Sequence, residues 1–377
     1  MGKAKYNLKK RIFITGGAGF IGSHLVQKIL DSENYNVTIY DNLSSQVHLD
    51  FYSTDFYNNI KNKVNFVFGD ITDLKLLRKS VRGHDIIFHL ASETGTGQSM
   101  YEKDKYIDVN VNGTLNLVKT AYDHSIEKII LSSSRAVYGE GKYFHKDFGN
   151  IYPEGRSFSA IKEQGFELKF NNNNIKAVPT DENSLTKPTS VYGLTKSIQE
   201  DIIKASKIPY VILRYQNVYG PGQSLSNPYT GIISVFANRI YNNNKILIFE
   251  DGKQTRDFIF IDDVSNINFL VMENQLAVNK VFNIGTGNPV KVYDLFKLIL
   301  KIMKGEKNVK ITNKYRLGDI RHNFADTRKL KRIFKYDQSI NLEKGLTNFI
   351  CWFQNQKIPK NNFEKSMQEL IKKGLYR

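Results

Sequence analysis

A single cysteine, Cys351, stands among 377 residues. That excludes an internal disulfide and a cysteine-built zinc site, and it fits a reducing compartment. Long hydrophobic runs are missing too, since no apolar stretch reaches the length a bilayer requires. The opening MGKAKYNLKKRIFITGGAGFIG has the basic head and apolar run of a secretory leader. Glycines break that run almost at once, so it reads as a first strand entering a turn. We expect a cytoplasmic protein with no membrane partner.

Acidic residues are scarce, 37 Asp and Glu against 54 Lys and Arg, for a formal net charge of +17. Such an excess can serve nucleic acid, a membrane surface or small anions. The lysines are scattered, with no basic stripe interleaved with aromatics and no nucleic-acid motif, so no nucleic-acid partner is expected. Asparagine-rich runs at 171–174 and 241–244 point to a compositional bias. The chain is long enough for one large domain or two of medium size.

What is present begins with RIFITGGAGFIGSHLVQKILDS, a short apolar strand, a glycine turn and an amphipathic helix. Gly16 permits the tight turn, Gly19 lets backbone approach a pyrophosphate, and Gly22 lets helix pack on strand. The helix N-terminus offers free N–H groups to the anion. A second strand, YNVTIYDNLSS, ends in Asp41, 19 residues after Gly22. An acid there accepts hydrogen bonds from the adenosine ribose hydroxyls. No arginine follows for a 2′-phosphate, so the expected cofactor is NAD. VNFVFGDITD is a third strand, ending in Asp70 and Ile71 beside the adenine. DIIFHLAS leads into the loop ETGTGQS, and KIILSSSRAVYG runs into Ser132, Ser133 and Ser134. Strands alternating with helices predict a parallel, doubly wound sheet of Rossmann type with ligands beyond its carboxyl edge.

In SVYGLTKSIQE, Tyr192 and Lys196 are four apart, which on a helix shares one face. The pair alone fits a solvated helix surface equally well. A serine at a strand end, YxxxK on the following helix and an N-terminal GxxGxxG together resemble the extended short-chain dehydrogenase/reductase superfamily. The resemblance runs from about residue 11 to about residue 335. It implies that Ser134, four before Tyr138, is the catalytic serine, with Tyr192 as proton acceptor and Lys196 as the cation that activates it. A free phenol has a pKa of about 10, so a nearby positive charge is needed to make it a base near neutrality. The same resemblance implies cofactor contacts at Phe20, Ile21, Asn42, Leu90 and Ala91, besides Gly16, Gly19, Gly22, Asp41, Asp70, Ile71, Tyr192 and Lys196.

The second half is similar to the nucleotide-sugar branch. LRYQNVYGPGQ carries Asn217, GKQTRDFIFIDDV carries Arg256, and YRLGDIRHNF carries Arg316 and Asp319. Similarity implies substrate contacts at these four, with Arg256 on the diphosphate, and also at Glu93, Thr94, Ser134 and Arg135. Dehydratases of this branch carry an Asp-Glu pair after the catalytic hydroxyl residue. Here those positions are Arg135 and Ala136, which cannot do carboxylate chemistry. The expected reaction is therefore 4-epimerisation with tightly bound, recycled NAD. Longer segments, ASETGTGQSMYE and SSSRAVYGEGKY among them, look like the dTDP-L-rhamnose 4-epimerase group. A UDP-hexose or UDP-uronate 4-epimerase, a 4,6-dehydratase and an idle NAD-binding member remain as alternatives. Some relatives carry CxxC pairs in the insertion at about 141–187; this chain has none, so no metal is expected.

The expected architecture is a Rossmann domain over 1–213, with the insertion and a return strand within 255–285. A smaller C-terminal α/β substrate domain would take 214–254 and 286–377. The resemblance implies a homodimer through the helix of about 100–124 and the helix starting near 191. Cys351 and Trp352 read as core residues of the second domain, and the tail KNNFEKSMQELIKKGLYR as an amphipathic helix without an assigned role.

Overall fold

The computed structural model describes residues 9–48, 51–225, 227, 229, 231–357 and 363–377. Five strands build most of the large sheet: β1 (Lys10–Thr15), β2 (Tyr35–Asp41), β3 (Asn65–Phe68), β4 (Ile86–His89) and β5 (Lys128–Ser134). Tyr210–Tyr215 and Lys280–Ile284 complete it. All neighbours are parallel, in the order Lys280–Ile284, Tyr210–Tyr215, β5, β4, β1, β2, β3. The strand order reverses between β1 and β4, and a crevice opens there at the carboxyl edge. Register places Thr15 beside Tyr40 and His89, and Ser134 beside Tyr215, so the functional strand ends stand level.

Alternation along the strands sends side chains to both faces. Ile12, Ile14 and Ile39 join the layer that holds Leu25 and Val26 of helix α1 (Phe20–Leu30). Phe13, Tyr40 and Ile87 join the opposite layer with Leu117 and Ile203. Both faces are covered, as an all-parallel sheet requires. His89, 1% exposed, is bonded at 2.9 Å to both Thr15 Oγ1 and Thr114 Oγ1; burial lowers its pKa to about 3, so it packs neutral.

The stretch 255–285 splits between two sheets. Thr255–Phe260 pairs with Asn217–Tyr219 and Pro289–Lys291, and Lys280–Ile284 enters the large sheet. The expected helix at about 100–124 runs through three parts: Lys103–Tyr106, a π-helical turn at Ile107–Asn112, and Gly113–Asp123. The insertion is folded. Tyr143–His145 pairs with Gly149–Ile151 and Lys176–Ala177, and Phe158–Gln164 is helical. Arg156 fastens it from within, donating to Glu140 at 3.0 Å and to Glu250 at 2.9 and 3.1 Å. Arg321, fully buried, bonds Glu250 and Asp251 at 2.7 Å each and also reaches Glu167.

Cys351 corrects an expectation: it is exposed, and Trp352 is half-buried. In the helix Leu342–Gln354 the buried stripe is Leu346, Phe349, Ile350 and Phe353, and position 351 falls off it. Among the described residues, no helix is long and apolar enough to cross a membrane, and no cluster of three metal-ligating side chains occurs.

Candidate active site

The cofactor end is built by the turn after β1. Gly16 has φ +70°, and its N–H donates to the Tyr40 carbonyl at 2.9 Å. A Cβ there would lie 2.6 Å from the Ala91 nitrogen, and one on Gly22 would lie 2.3 Å from the Gly16 carbonyl oxygen. Only glycine fits either place. Gly19 caps α1 without a side-chain bond, leaving the N–H groups of Phe20, Ile21 and Gly22 to the crevice. Asp41, 7% exposed, accepts from Ala18 N–H at 3.0 Å and Leu43 N–H at 2.9 Å. Burial raises its pKa against those bonds and His48, whose Nε2 is 3.9 Å away. His48 had no signal in the sequence.

Asn42 donates to Asp70 at 2.7 Å. Burial pushes the Asp70 carboxyl up, but bonds from Thr72 and Asn42 outweigh it and hold the pKa low. Asp70 is thus fastened beside the crevice, while Ile71 lines it. Leu90 N–H donates to the Thr15 carbonyl at 3.0 Å and Ala91 N–H to Thr15 Oγ1 at 3.2 Å, so β4 ends against the glycine turn.

The expected catalytic residues lie where β5 meets the helix Val191–Ala205, whose N-cap Ser190 accepts from Gly193 N–H at 3.1 Å. Ser134 ends β5, accepts from Ala136 N–H at 3.1 Å and stands beside the Tyr192 phenol. Burial raises the Tyr192 pKa; the Ser134 bond and the Arg135 charge lower it. Lys196, 2% exposed, donates to the Ser132 carbonyl at 2.9 Å. Burial brings its pKa down to about 7, with Glu200 opposing. Glu200, one more turn along, accepts from Arg214 at 2.7 and 2.8 Å and from Ser133 Oγ at 2.6 Å. Tyr106, also unread in the sequence, stands edge-on to Tyr192 at 6.4 Å between ring centres and donates to the Gly95 carbonyl.

At the substrate end, Glu93 pairs with Lys105 at 3.1 Å, and its N–H donates to Asn110 at 2.8 Å. The Thr94 carbonyl accepts from Tyr106. Asn217 donates to the Asp257 carbonyl at 2.9 Å. Arg256 donates to the Thr255 and Ile320 carbonyls at 2.8 Å and to the Arg321 carbonyl at 3.1 Å. Arg316 grips Asp319 with bonds of 3.1, 3.1 and 2.8 Å. Arg135 donates no hydrogen bond among the described residues. Burial and then Arg256 push its pKa down to about 9, against Asp319, Tyr192 and Glu140. One cleft of about 1600 Å³ brings together all the expected site residues except Asp70.

A glycine cradle that a Cβ would fill, a buried acid at the end of β2 and a serine beside a tyrosine facing one cleft define a dinucleotide-dependent enzyme. The model of the NAD dependent epimerase/dehydratase family matches residues 12–165 and 171–285. The chain belongs to that family. It is 34% identical to a dTDP-L-rhamnose 4-epimerase of Burkholderia thailandensis, over 93% of this chain and 97% of the relative. It is 33% identical to a putative UDP-glucose 4-epimerase of Methanocaldococcus jannaschii, over 91% and 98%. Among solved structures, the UDP-glucose 4-epimerase of Thermotoga maritima with UDP-glucose superposes with a TM-score of 0.74 at 30% identity, covering 91% of this chain and 98% of that one. The UDP-glucuronic acid 4-epimerase of Bacillus cereus, complexed with UDP-glucuronic acid and NAD, gives 0.77 at 25% identity, covering 91% and 99%. The protein is an enzyme of the epimerase kind, an isomerase, and its cofactor is NAD.

Proposed function

We propose that this enzyme inverts C4 of a nucleotide sugar, with dTDP-L-rhamnose and dTDP-6-deoxy-L-talose as the pair. The observation that carries the reaction is Ser134 beside the Tyr192 phenol in one cleft, with Arg135 next to them where a dehydratase would hold an acid. Tyr192 takes the proton of the C4 hydroxyl, and Ser134 holds that oxygen. NAD, when bound, supplies the hydride acceptor and then the donor. The 4-keto sugar turns about its diphosphate and is reduced on the other face, with Tyr192 returning the proton. Other carboxylates near the substrate end are already engaged, Glu93 by Lys105 and Asp319 by Arg316. Among the described residues, both carboxylates are thus held in ion pairs, and the position after Ser134 carries a cation, which supports epimerisation over dehydration.

The substrate rests on the Burkholderia thailandensis relative. A UDP-hexose or UDP-uronate is the second reading, favoured by the UDP-sugar relatives and neighbours. In this reading Gly16 to Ala91 hold NAD, and Glu93, Thr94, Arg135, Asn217, Arg256, Arg316 and Asp319 surround the nucleotide sugar. The smaller sheet around Asn217–Tyr219 and Thr255–Phe260 belongs to a substrate domain. We further propose a cytoplasmic homodimer; exposed Ile107, Leu115, Tyr122 and Leu194 on the two expected helices support that contact.

The test is NMR of the purified protein with dTDP-L-rhamnose and no added cofactor. A second sugar inverted at C4 is expected. Conversion of UDP-sugars alone moves the assignment to the second reading, and no conversion of any nucleotide sugar overturns the proposal.

A further inference from the structure

The C-terminal segment 363–377 makes two attachments to the substrate end of the cleft. Its last residues pair as a strand with the chain around Arg316. Tyr315 N–H donates to the Arg377 carbonyl at 2.7 Å, Arg377 N–H returns the bond at 3.1 Å, and Leu317 N–H donates to the Leu375 carbonyl at 2.9 Å. Tyr376 packs on Phe249 at 5.1 Å between ring centres, and the Arg316 guanidinium lies 5.6 Å above the same Phe249 ring. Tyr376, Phe249 and Arg316 thus form one stack, and its cationic end lines the cleft.

The second attachment comes from the helix Phe363–Lys372. Met367 and Leu370 are buried against Tyr101 and Phe249. Glu369 on that helix accepts from Tyr229 at 2.6 Å, and the Tyr101 hydroxyl shares its one proton between Tyr229 at 2.7 Å and Glu369 at 3.0 Å. Those bonds hold its carboxyl below the usual range. Tyr229 lines the cleft. Its Cβ stands 3.1 Å from where a Cβ on Gly95 would be, in the loop whose carbonyls anchor Tyr106. One carboxylate therefore ties the tail to both walls of the substrate end, across 140 and 268 residues of chain.

We propose that residues 363–377 are a built part of the substrate site, with Glu369 as a positioning residue that fixes Tyr229 and Tyr376 as the support that aims Arg316. The inference rests on the nucleotide-sugar reading above. An interaction made equally in the ground and transition states changes KM and leaves kcat.

The experiment uses the full chain with its bound NAD. Glu369→Ala is expected to raise KM for the nucleotide sugar about tenfold, the order of one lost hydrogen bond to a charged group, with kcat and NAD content unchanged. Glu369→Gln keeps an acceptor oxygen and is expected to recover most of the loss. Tyr376→Ala is expected to weaken binding of dTDP and UDP, titrated by calorimetry, with NAD content unchanged. Unchanged KM and nucleotide affinity in both alanine variants overturn the proposal. So does loss of NAD and thermal stability in parallel with affinity, since that marks a merely structural role. If the unaltered chain converts no sugar, the epimerase reading fails, and the nucleotide titration of Tyr376→Ala still decides this one.

Discussion

Lys196 carries its ammonium 6.0 Å from the centre of the Tyr192 ring while donating to the Ser132 carbonyl. The amine is thus fixed by backbone at the end of β5, one helical turn from the phenol. Tyr192→Phe keeps the ring, the edge contact to Tyr106 and the helix, and removes only the hydroxyl, the proposed proton acceptor. Turnover should fall by roughly 10²–10⁴, while NAD content stays unchanged by absorbance of the denatured supernatant.

Burial brings the Lys196 pKa down to about 7 in the folded chain, against about 10.4 for a free lysine. Between those values the unfolded chain binds a proton that the folded chain does not. Stability of the nucleotide-free protein should therefore rise with pH across that window, and the cost of burying this lysine is fully present below pH 7. Lys196→Met should flatten the rise, by at most a few kcal/mol. Thermal melts of both proteins from pH 6 to pH 10 check it; parallel curves would show that Lys196 titrates normally.

Arg135 lowers the Tyr192 pKa through its charge. Arg135→Ala should move the acidic limb of the kcat/KM profile to higher pH, so activity at neutral pH drops while activity at high pH is largely kept. Arg135→Lys should return the limb part of the way. A profile that falls uniformly at every pH would give Arg135 a binding role without an effect on the phenol.

Glu200 and Arg214 are 1% and 3% exposed and bonded fork to carboxylate. Glu200→Ala leaves a guanidinium buried and unpaired, and such a break costs about 3–5 kcal/mol. Urea unfolding should show that loss at an unchanged m-value. A change below about 1 kcal/mol would mean Arg214 finds water or another acceptor.

The parts legible beforehand are those whose geometry is local. Gly16, Gly19 and Gly22 share one turn, Asp41 ends the next strand, and Tyr192 and Lys196 lie on one helix face. Each is spelled by spacing within about thirty residues, and the sheet order then brings them to one edge. Glu369, Tyr101 and Tyr229 meet from three distant places, and no periodicity marks a residue whose partner lies a hundred positions away. The π-helical turn at Ile107–Asn112 keeps the apolar pattern of an ordinary helix, so the pattern could not reveal it. Cys351 reads as a core residue because cysteines are usually buried, while its angular place on the helix sets it outside.

Arg156 stands in the insertion, and the carboxylates it satisfies stand outside: Glu140 just before it and Glu250 far along the chain. The insertion is therefore a keystone and not an appendage. Excising 141–187 would take the Arg156 guanidinium from two buried carboxylates, leaving Glu250 to Arg321 and Glu140 to a backbone N–H, and grafting it onto another chain would carry a buried guanidinium to a place with no acid waiting. The segment can be exchanged between relatives only together with its counter-charges.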